Sequence, residues 1–143
     1  MLAYAQSQRD IMGAATALWS PFNTVPTATT DFRNGLNRYE DLDPDSQARF
    51  THLLWPIINH CESVHMMHGK GLMDKPSYER WMAGIVGVIT TAGGAAWWKR
   101  MRVMIGPEFV TAIEHMRDTS ELTYKITDTW HFYNSDSLDS QLP

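Results

Sequence analysis

Cysteine is nearly absent from this chain, because only Cys61 occurs among its 143 residues. A single cysteine excludes an internal disulfide framework and gives no sign of an oxidising compartment. The first nine residues, Met1 to Arg9, also lack the basic start and the apolar core of a secretory signal. We therefore expect a cytoplasmic protein that reaches a membrane only peripherally or through a partner.

Long apolar runs are missing as well. One long uncharged stretch, from Trp81 to Trp98, contains four glycines and two threonines, and Gly93-Gly94 interrupts it. A membrane-spanning helix needs about 20 consecutive, mostly apolar residues. The stretch is both shorter and more broken than that, so the sequence argues against a membrane span.

Positive charge is in deficit, since the formal net charge is −4. One short cluster, Trp97-Trp98-Lys99-Arg100 together with Arg102, places basic residues beside aromatic rings, as some single-strand binders do. Three charges in an acidic protein are too few for strong phosphate binding. We interpret the cluster as a helix with a solvated basic face, and we expect no nucleic-acid partner.

The chain does contain many large apolar residues, six Trp and nine Met among them, at helical spacing. A first helix is predicted from Leu2 to Trp19, with an apolar stripe of Ala5, Met12, Ala15, Leu18 and Trp19. Ser20-Pro21 should end it, and Phe22–Thr30 is predicted to be a loop. The next helix is short and carries Phe32, Leu36 and Tyr39.

Two cap-and-proline signals divide the middle of the chain. Asp43 before Pro44 predicts the start of the longest helix, which should end near His68 because Gly69 and Gly71 follow. Its predicted inward stripe consists of Phe50, Leu54, Ile57, Cys61, Val64 and His68. Asp74 before Pro76 predicts another helix start, and the buried face of that helix should carry Tyr78, Trp81, Met82, Ile85, Val88 and Ile89.

Glycines and a proline mark the predicted helix boundaries in the remainder of the domain. Gly93-Gly94 is predicted to break the helix, and Ala95–Ile105 to form a short one with Trp98, Met101 and Ile105 inward. Gly106-Pro107 should start the last helix, in which Phe109, Val110, Ile113 and Met116 face inward. No stretch alternates with the period of a strand. The prediction is an all-α, single domain of five or six helices over residues 1–117.

Residues 118–143 form a polar segment rich in Ser, Thr and Asp, with one aromatic island at Trp130-His131-Phe132-Tyr133. The composition predicts a mobile tail. Its aromatic residues could dock on a partner or fold back onto the helical domain, and the sequence leaves both possibilities open.

The stretch from about Phe50 to Ile113 carries a series of motifs in a fixed order: Glu62, Gly71-Leu72-Met73-Asp74, Trp81, Gly93-Gly94, Trp97-Trp98 and Gly106-Pro107-Glu108-Phe109. This series resembles an uncharacterised bacterial family of small, all-helical proteins, and the match covers less than half of the chain. Many of those proteins have a membrane helix ahead of the domain, which is not present here. They commonly have Pro-Gly where this chain has Gly93-Gly94, and aromatic residues or Gln in place of His65 and His68. The family has no established catalytic residue, so the resemblance implies a fold and no chemistry.

One cluster of side chains has the types that metal binding or acid–base chemistry needs: Cys61, Glu62, His65 and His68. On a helix Cys61, His65 and His68 share a face, whereas His60 lies toward the opposite edge. Cys61 and His68 lie about 10 Å apart along the axis, too far for one metal, so a site would use Cys61 or Glu62 with His65 and further ligands from elsewhere. Glu62 and His65 have the spacing of half a di-iron site, and no second such pair exists. We favour a buried, structural Cys61 with hydrogen-bonded histidines, and we expect no cofactor.

The sequence therefore predicts a non-catalytic interaction or accessory module that binds another protein or a second copy of itself. The competing class is a metal- or small-ligand-binding protein, or an enzyme, that uses Glu62, His65 and His68. Met66 and Met67 are predicted to point away from the inward stripe and to join Trp130, Phe132 and Tyr133 as interaction residues. The predicted structural residues are Asp43, Asp74, Trp81, Trp98, Pro107 and Phe109.

Overall fold

The computed structural model describes residues 1–119. Over this range the chain forms six α-helices: α1 (Leu2–Thr24), α2 (Ala28–Arg38), α3 (Pro44–Gly69), α4 (Lys75–Thr90), α5 (Ala92–Met101) and α6 (Pro107–Thr119). Two single turns of 3₁₀ helix, Tyr39–Asp41 and Arg102–Met104, follow α2 and α5. The predicted all-α class is confirmed. Of the helices in residues 1–119, none is both long and apolar enough to cross a membrane.

The longest helix, α3, is the centre of the bundle, and its start is the predicted one. The Asp43 side chain accepts a hydrogen bond from the Ser46 backbone N–H at 2.9 Å, and Pro44 occupies the first turn. The predicted inward residues Phe50, Leu54, Ile57, Cys61 and Val64 are all buried in the common core, and His68 is partly buried. Helices α1, α2 and α4 each pack against α3.

Helix α1 is longer than predicted, and this corrects the loop assigned to Phe22–Thr30. The helix passes through Ser20-Pro21 to Thr24, and α2 begins at Ala28. Proline removes one backbone donor from a helix without preventing later hydrogen bonds, and here the Val25 N–H bonds to the Pro21 carbonyl. The Phe22 and Phe32 rings contact each other nearly at right angles, with centroids 5.3 Å apart. This contact packs the last turn of α1 against α2.

The apolar stripe predicted for α1 is in fact divided between two faces. Ile11 and Ala15 are buried against the bundle, and Leu18 packs on the core. Met12 and Trp19, which belonged to the same predicted stripe, are 65% and 39% exposed, although the Trp19 ring still contacts Phe22, with centroids 5.9 Å apart. The helix therefore has one apolar face in the core and a second one in solvent.

The boundary between α4 and α5 also differs from the prediction. Helix α4 ends at Thr90, and the Thr91 hydroxyl caps α5 by accepting the Gly94 backbone N–H at 3.0 Å. Gly93 and Gly94 thus lie within the first turn of α5 and do not break a helix. A Cβ at Gly93 would overlap the carbonyl oxygen of Gly35 in α2. These glycines are needed because two helix backbones touch there.

The most deeply buried tryptophan is Trp97, which was not among the predicted inward residues. Trp97 is fully buried, and its Nε1–H donates to the Thr51 hydroxyl at 3.0 Å. Trp81, predicted as a core anchor, is only partly buried and packs at the edge of the core. Trp98 is 2% exposed, as predicted, and its Nε1–H donates to Glu114 at 2.9 Å. Neighbouring helices enclose α5 on two sides, so both members of the Trp pair are covered.

The last predicted helix begins at Pro107, and its Phe109 is buried. It continues to Thr119, two residues beyond the predicted domain boundary. The rest of the predicted tail, including Trp130, Phe132 and Tyr133, lies outside the described residues.

Candidate functional site

Two of the four candidate side chains, His65 and His68, meet Tyr78 where α3 ends and α4 begins. The chain reverses there through Gly71, whose φ of +71° suits glycine, and the capping residue Asp74 starts α4 by accepting the Ser77 N–H at 2.9 Å. The reversal brings Tyr78 against the last two turns of α3. We call His65, His68 and Tyr78 the histidine–tyrosine cluster.

Within this cluster each histidine already uses one ring nitrogen. His65 Nδ1 lies 2.8 Å from the Tyr78 hydroxyl, and His68 Nδ1 lies 3.2 Å from the Met73 carbonyl oxygen, to which it donates. The His68 and Tyr78 rings are stacked, with centroids 4.0 Å apart and planes at 5°. These contacts fix the ring orientations and join the two helices.

Burial keeps His65 and Tyr78 in their neutral forms. It lowers the pKa of His65, and the nearby His68 lowers it further, while Glu108 and Glu62 partly oppose the shift. Burial also raises the pKa of Tyr78. At neutral pH a protonated phenol therefore donates to a neutral imidazole, which is the arrangement of a hydrogen-bonded structural pair.

Cys61 and Glu62 are not part of the cluster. The Cys61 thiol is buried, lies 4.0 Å from the Trp81 carbonyl oxygen, and has a pKa raised by burial. Glu62 points toward the turn before α6, where its carboxylate occupies the space that a Cβ at Gly106 would need. In residues 1–119, no group of three or more His, Cys, Asp or Glu side chains is placed to hold a metal ion.

His60 is the histidine that sequence reasoning placed wrongly, toward the outer edge of α3. It is 8% exposed, and its ring packs edge-on against the Trp81 ring, with centroids 4.5 Å apart. Its Nε2 atom is buried with no hydrogen-bond partner among the described residues, and burial lowers its pKa. The packing of α4 against this side of α3 buries His60, and no local sequence signal reports such packing.

Two clefts lie elsewhere on the molecule. One, of about 300 Å³, separates α1 from the start of α4, and the other, of about 250 Å³, lies beside Pro21 and Val25. Ligand sites usually occupy about 300–1,000 Å³, so both are small. Neither cleft is lined by Glu62, His65 or His68, so the cluster does not open onto either of these spaces.

The solvent-facing side of α1 carries several exposed apolar residues. Leu2, Met12 and Trp19 are 86%, 65% and 39% exposed, and Ala5 between them is exposed too. We call Leu2, Ala5, Met12 and Trp19 the outer face of α1. Only two residues of this 23-residue helix are charged, Arg9 and Asp10. Arg9 is exposed on the same side between Ala5 and Met12, so the outer face is an apolar strip interrupted by one charge.

The methionine pair predicted as an interaction surface is divided by the structure. Met66 is 55% exposed, as its position on the helical wheel indicates, but Met67 is partly buried and packs on the core. Two other apolar residues, Val103 and Met104 in the second 3₁₀ turn, are 82% and 70% exposed. Among the described residues, the exposed large apolar side chains thus lie mainly on α1, with Val25, Met66 and the Val103-Met104 pair elsewhere.

Comparison with protein-family models, with curated proteins and with solved structures finds no match to this chain. The family resemblance of the Phe50–Ile113 stretch stays a prediction.

Proposed function

We propose that this protein is a non-catalytic interaction module that binds a helix of another polypeptide through the outer face of α1. The observation that carries the proposal is the second apolar face of this helix, which is exposed while the first is buried. Met12 and Trp19 stand one heptad apart on it.

An exposed apolar strip of this kind is unfavourable in water, and a helix with only a structural role does not require one. A surface helix normally places polar residues opposite its buried face, and contiguous exposed apolar patches commonly mark binding sites. Methionine and tryptophan are also the residue types that protein interfaces favour, because they bury large areas or adapt their shape.

The competing function, metal or ligand binding through Glu62, His65 and His68, has less support. His65 is engaged by Tyr78, His68 is engaged by the Met73 carbonyl, and Glu62 faces a different turn. Elemental analysis of the purified full chain tests this class directly. Zinc, iron or manganese at one equivalent per chain would favour it over the interaction module.

The interaction module is tested by partner capture from native cells with the tagged full chain. Met12→Glu places a charge in the middle of the outer face, and Met104→Glu makes the same change at a comparably exposed methionine on a distant turn. We expect Met12→Glu to abolish partner recovery and Met104→Glu to leave it unchanged. Both variants should keep the helix content and melting temperature of the parent. Equal recovery with the two variants would contradict the proposal.

A further inference from the structure

The cleft between α1 and the start of α4 lies beside the point where α1 is attached to the turn before α4. The Tyr4 hydroxyl donates to the Asp74 carboxylate at 3.3 Å, and the Gln8 side-chain amide donates to the Leu72 carbonyl oxygen at 3.3 Å. The body of α1 packs along α3 and α2. A space of about 300 Å³ therefore stays open between α1 and the side of α4.

Most of the side chains that line this cleft are apolar. Ile11 and Met73 are only 6% and 5% exposed, so they form its buried floor, and Met12 and Trp81 line it as well. The Trp81 ring also packs edge-on against the buried His60 ring, which fixes its position. An apolar cavity of about 150 Å³ holds a benzene molecule, so this cleft has room for one aromatic ring with a short polar group attached. Methionine sulfur and an indole ring are favourable neighbours for such a ring.

One positive charge lies at the edge of the cleft. The exposed Arg80 lines it, and its Nη2 donates to the Ser77 hydroxyl at 3.2 Å. Within residues 1–119 no carboxylate forms an ion pair with Arg80, because its neighbour Glu79 pairs with Lys75 at 3.7 Å. A guanidinium group binds a carboxylate through two parallel hydrogen bonds. A single arginine also matches one negative charge better than the nearly two charges of a phosphate monoester.

We propose that this cleft binds a small aromatic monocarboxylate. Its ring lies between Met12 and Trp81, above the floor of the cleft, and its carboxylate pairs with Arg80. An apolar pocket with one well-placed polar group is the usual composition of a small-molecule site. The inference goes beyond the proposed function and does not depend on it, because the cleft shares only Met12 with the outer face of α1.

Proton–nitrogen correlation spectra of the isotope-labelled full chain test the site with phenylpropionate as the probe. The signal of the Trp81 indole N–H, assigned by its loss in Trp81→Phe, should shift and saturate as the probe is added up to about 5 mM, a range that includes a millimolar dissociation constant. Phenylpropionamide has the same ring and nearly the same shape without the charge. We expect it to bind roughly three- to tenfold more weakly, as suits a partly solvated ion pair.

Two matched variants test the role of the arginine. Arg80→Gln should weaken phenylpropionate binding roughly three- to tenfold, whereas Arg38→Gln, at an exposed arginine in the last turn of α2 that does not line the cleft, should leave it unchanged. Both should keep the melting temperature of the parent. The proposal is overturned if the Trp81 signal shows no saturable shift, if Arg80→Gln binds as the parent does, or if acid and amide bind equally. The last comparison uses the unaltered chain and decides the matter even if Arg80→Gln folds poorly.

The failure of this inference is distinguishable from that of the proposed function. If phenylpropionate does not bind while Met12→Glu still abolishes partner recovery, the carboxylate site is wrong and the interaction module stands. If phenylpropionate binds through Arg80 while Met12→Glu leaves partner recovery unchanged, the carboxylate site stands and the interaction module is wrong.

Discussion

The close approach of α2 and α5 gives the sharpest stability prediction, which concerns Gly93→Ala. A Cβ at Gly93 would overlap the Gly35 carbonyl oxygen and would lie 2.8 Å from the carbonyl carbon of Leu36 and 2.9 Å from that of Gly35. All three obstructing atoms belong to the backbone of α2. No side chain can rotate to make room, so the two helices must move apart.

The expected cost follows from that geometry. Overpacking a core typically costs about 1–3 kcal/mol, and the upper end applies here because backbone meets backbone. Replacing glycine with alanine within a helix returns about 1 kcal/mol through helix propensity. Separating α2 from α5 also loosens the packing of buried Leu36 and Trp97. We expect Gly93→Ala to lower the free energy of unfolding by about 2 kcal/mol or more.

Urea denaturation followed by circular dichroism measures this change, and Gly13→Ala is the matched control. Gly13 lies in α1, is exposed, and has no atom within 4 Å of an added Cβ. The same substitution there should raise the free energy of unfolding by roughly 0.5–1 kcal/mol. If Gly93→Ala were as stable as the parent or more stable, Gly93 would be an ordinary helix position, and the inferred contact between α2 and α5 would be refuted.

Four further predictions follow from buried or capping side chains. Native Cys61 should not react with Ellman's reagent but should react fully in urea, because burial raises its pKa; rapid native labelling would contradict its burial. Burial lowers the pKa of His60 and His65 below 6.5, so the unfolded chain takes up protons first as the pH falls. The free energy of unfolding should therefore decrease from about pH 7 to pH 5, less steeply in His60→Gln, and a pH-independent value would refute this assignment. Trp97→Ala should cost about 3–5 kcal/mol in urea denaturation, and a cost below about 1 kcal/mol would place the ring outside the core. Asp74→Ala should cost about 1 kcal/mol by the same assay, as loss of a cap generally does, and no loss would show that the cap is dispensable.

The helix starts were predictable because their signals are local. Asp43 and Asp74 each bond the backbone N–H three residues ahead, and a proline at the first turn makes the same boundary favourable before any tertiary contact forms. The inward stripe of α3 was predictable for a related reason, since a long helix with one apolar side can bury only that side. The all-α class rests on these two kinds of signal.

The candidate site was predictable only in part. The sequence placed His65 near the inward face of α3, but it did not identify Tyr78 as the group that engages both histidines. That contact depends on how Gly71 reverses the chain and on the angle at which α4 returns, and neither is encoded in the spacing of the histidines. The burial of His60 was missed for the same reason.

The sequence by itself determined where most helices begin and which residues of α3 face the core, because capping and amphipathic periodicity act within a few residues. The tertiary structure decided whether each remaining apolar residue is buried or exposed and whether each remaining glycine lies at a backbone contact. It assigned Ala15 to the core and Met12 to solvent, although both lie on the stripe predicted for α1, and it made Gly93 a point of backbone contact instead of a helix break. These outcomes depend on which neighbour occupies the space beside a residue, and that information is carried by packing between distant segments and not by the local chain.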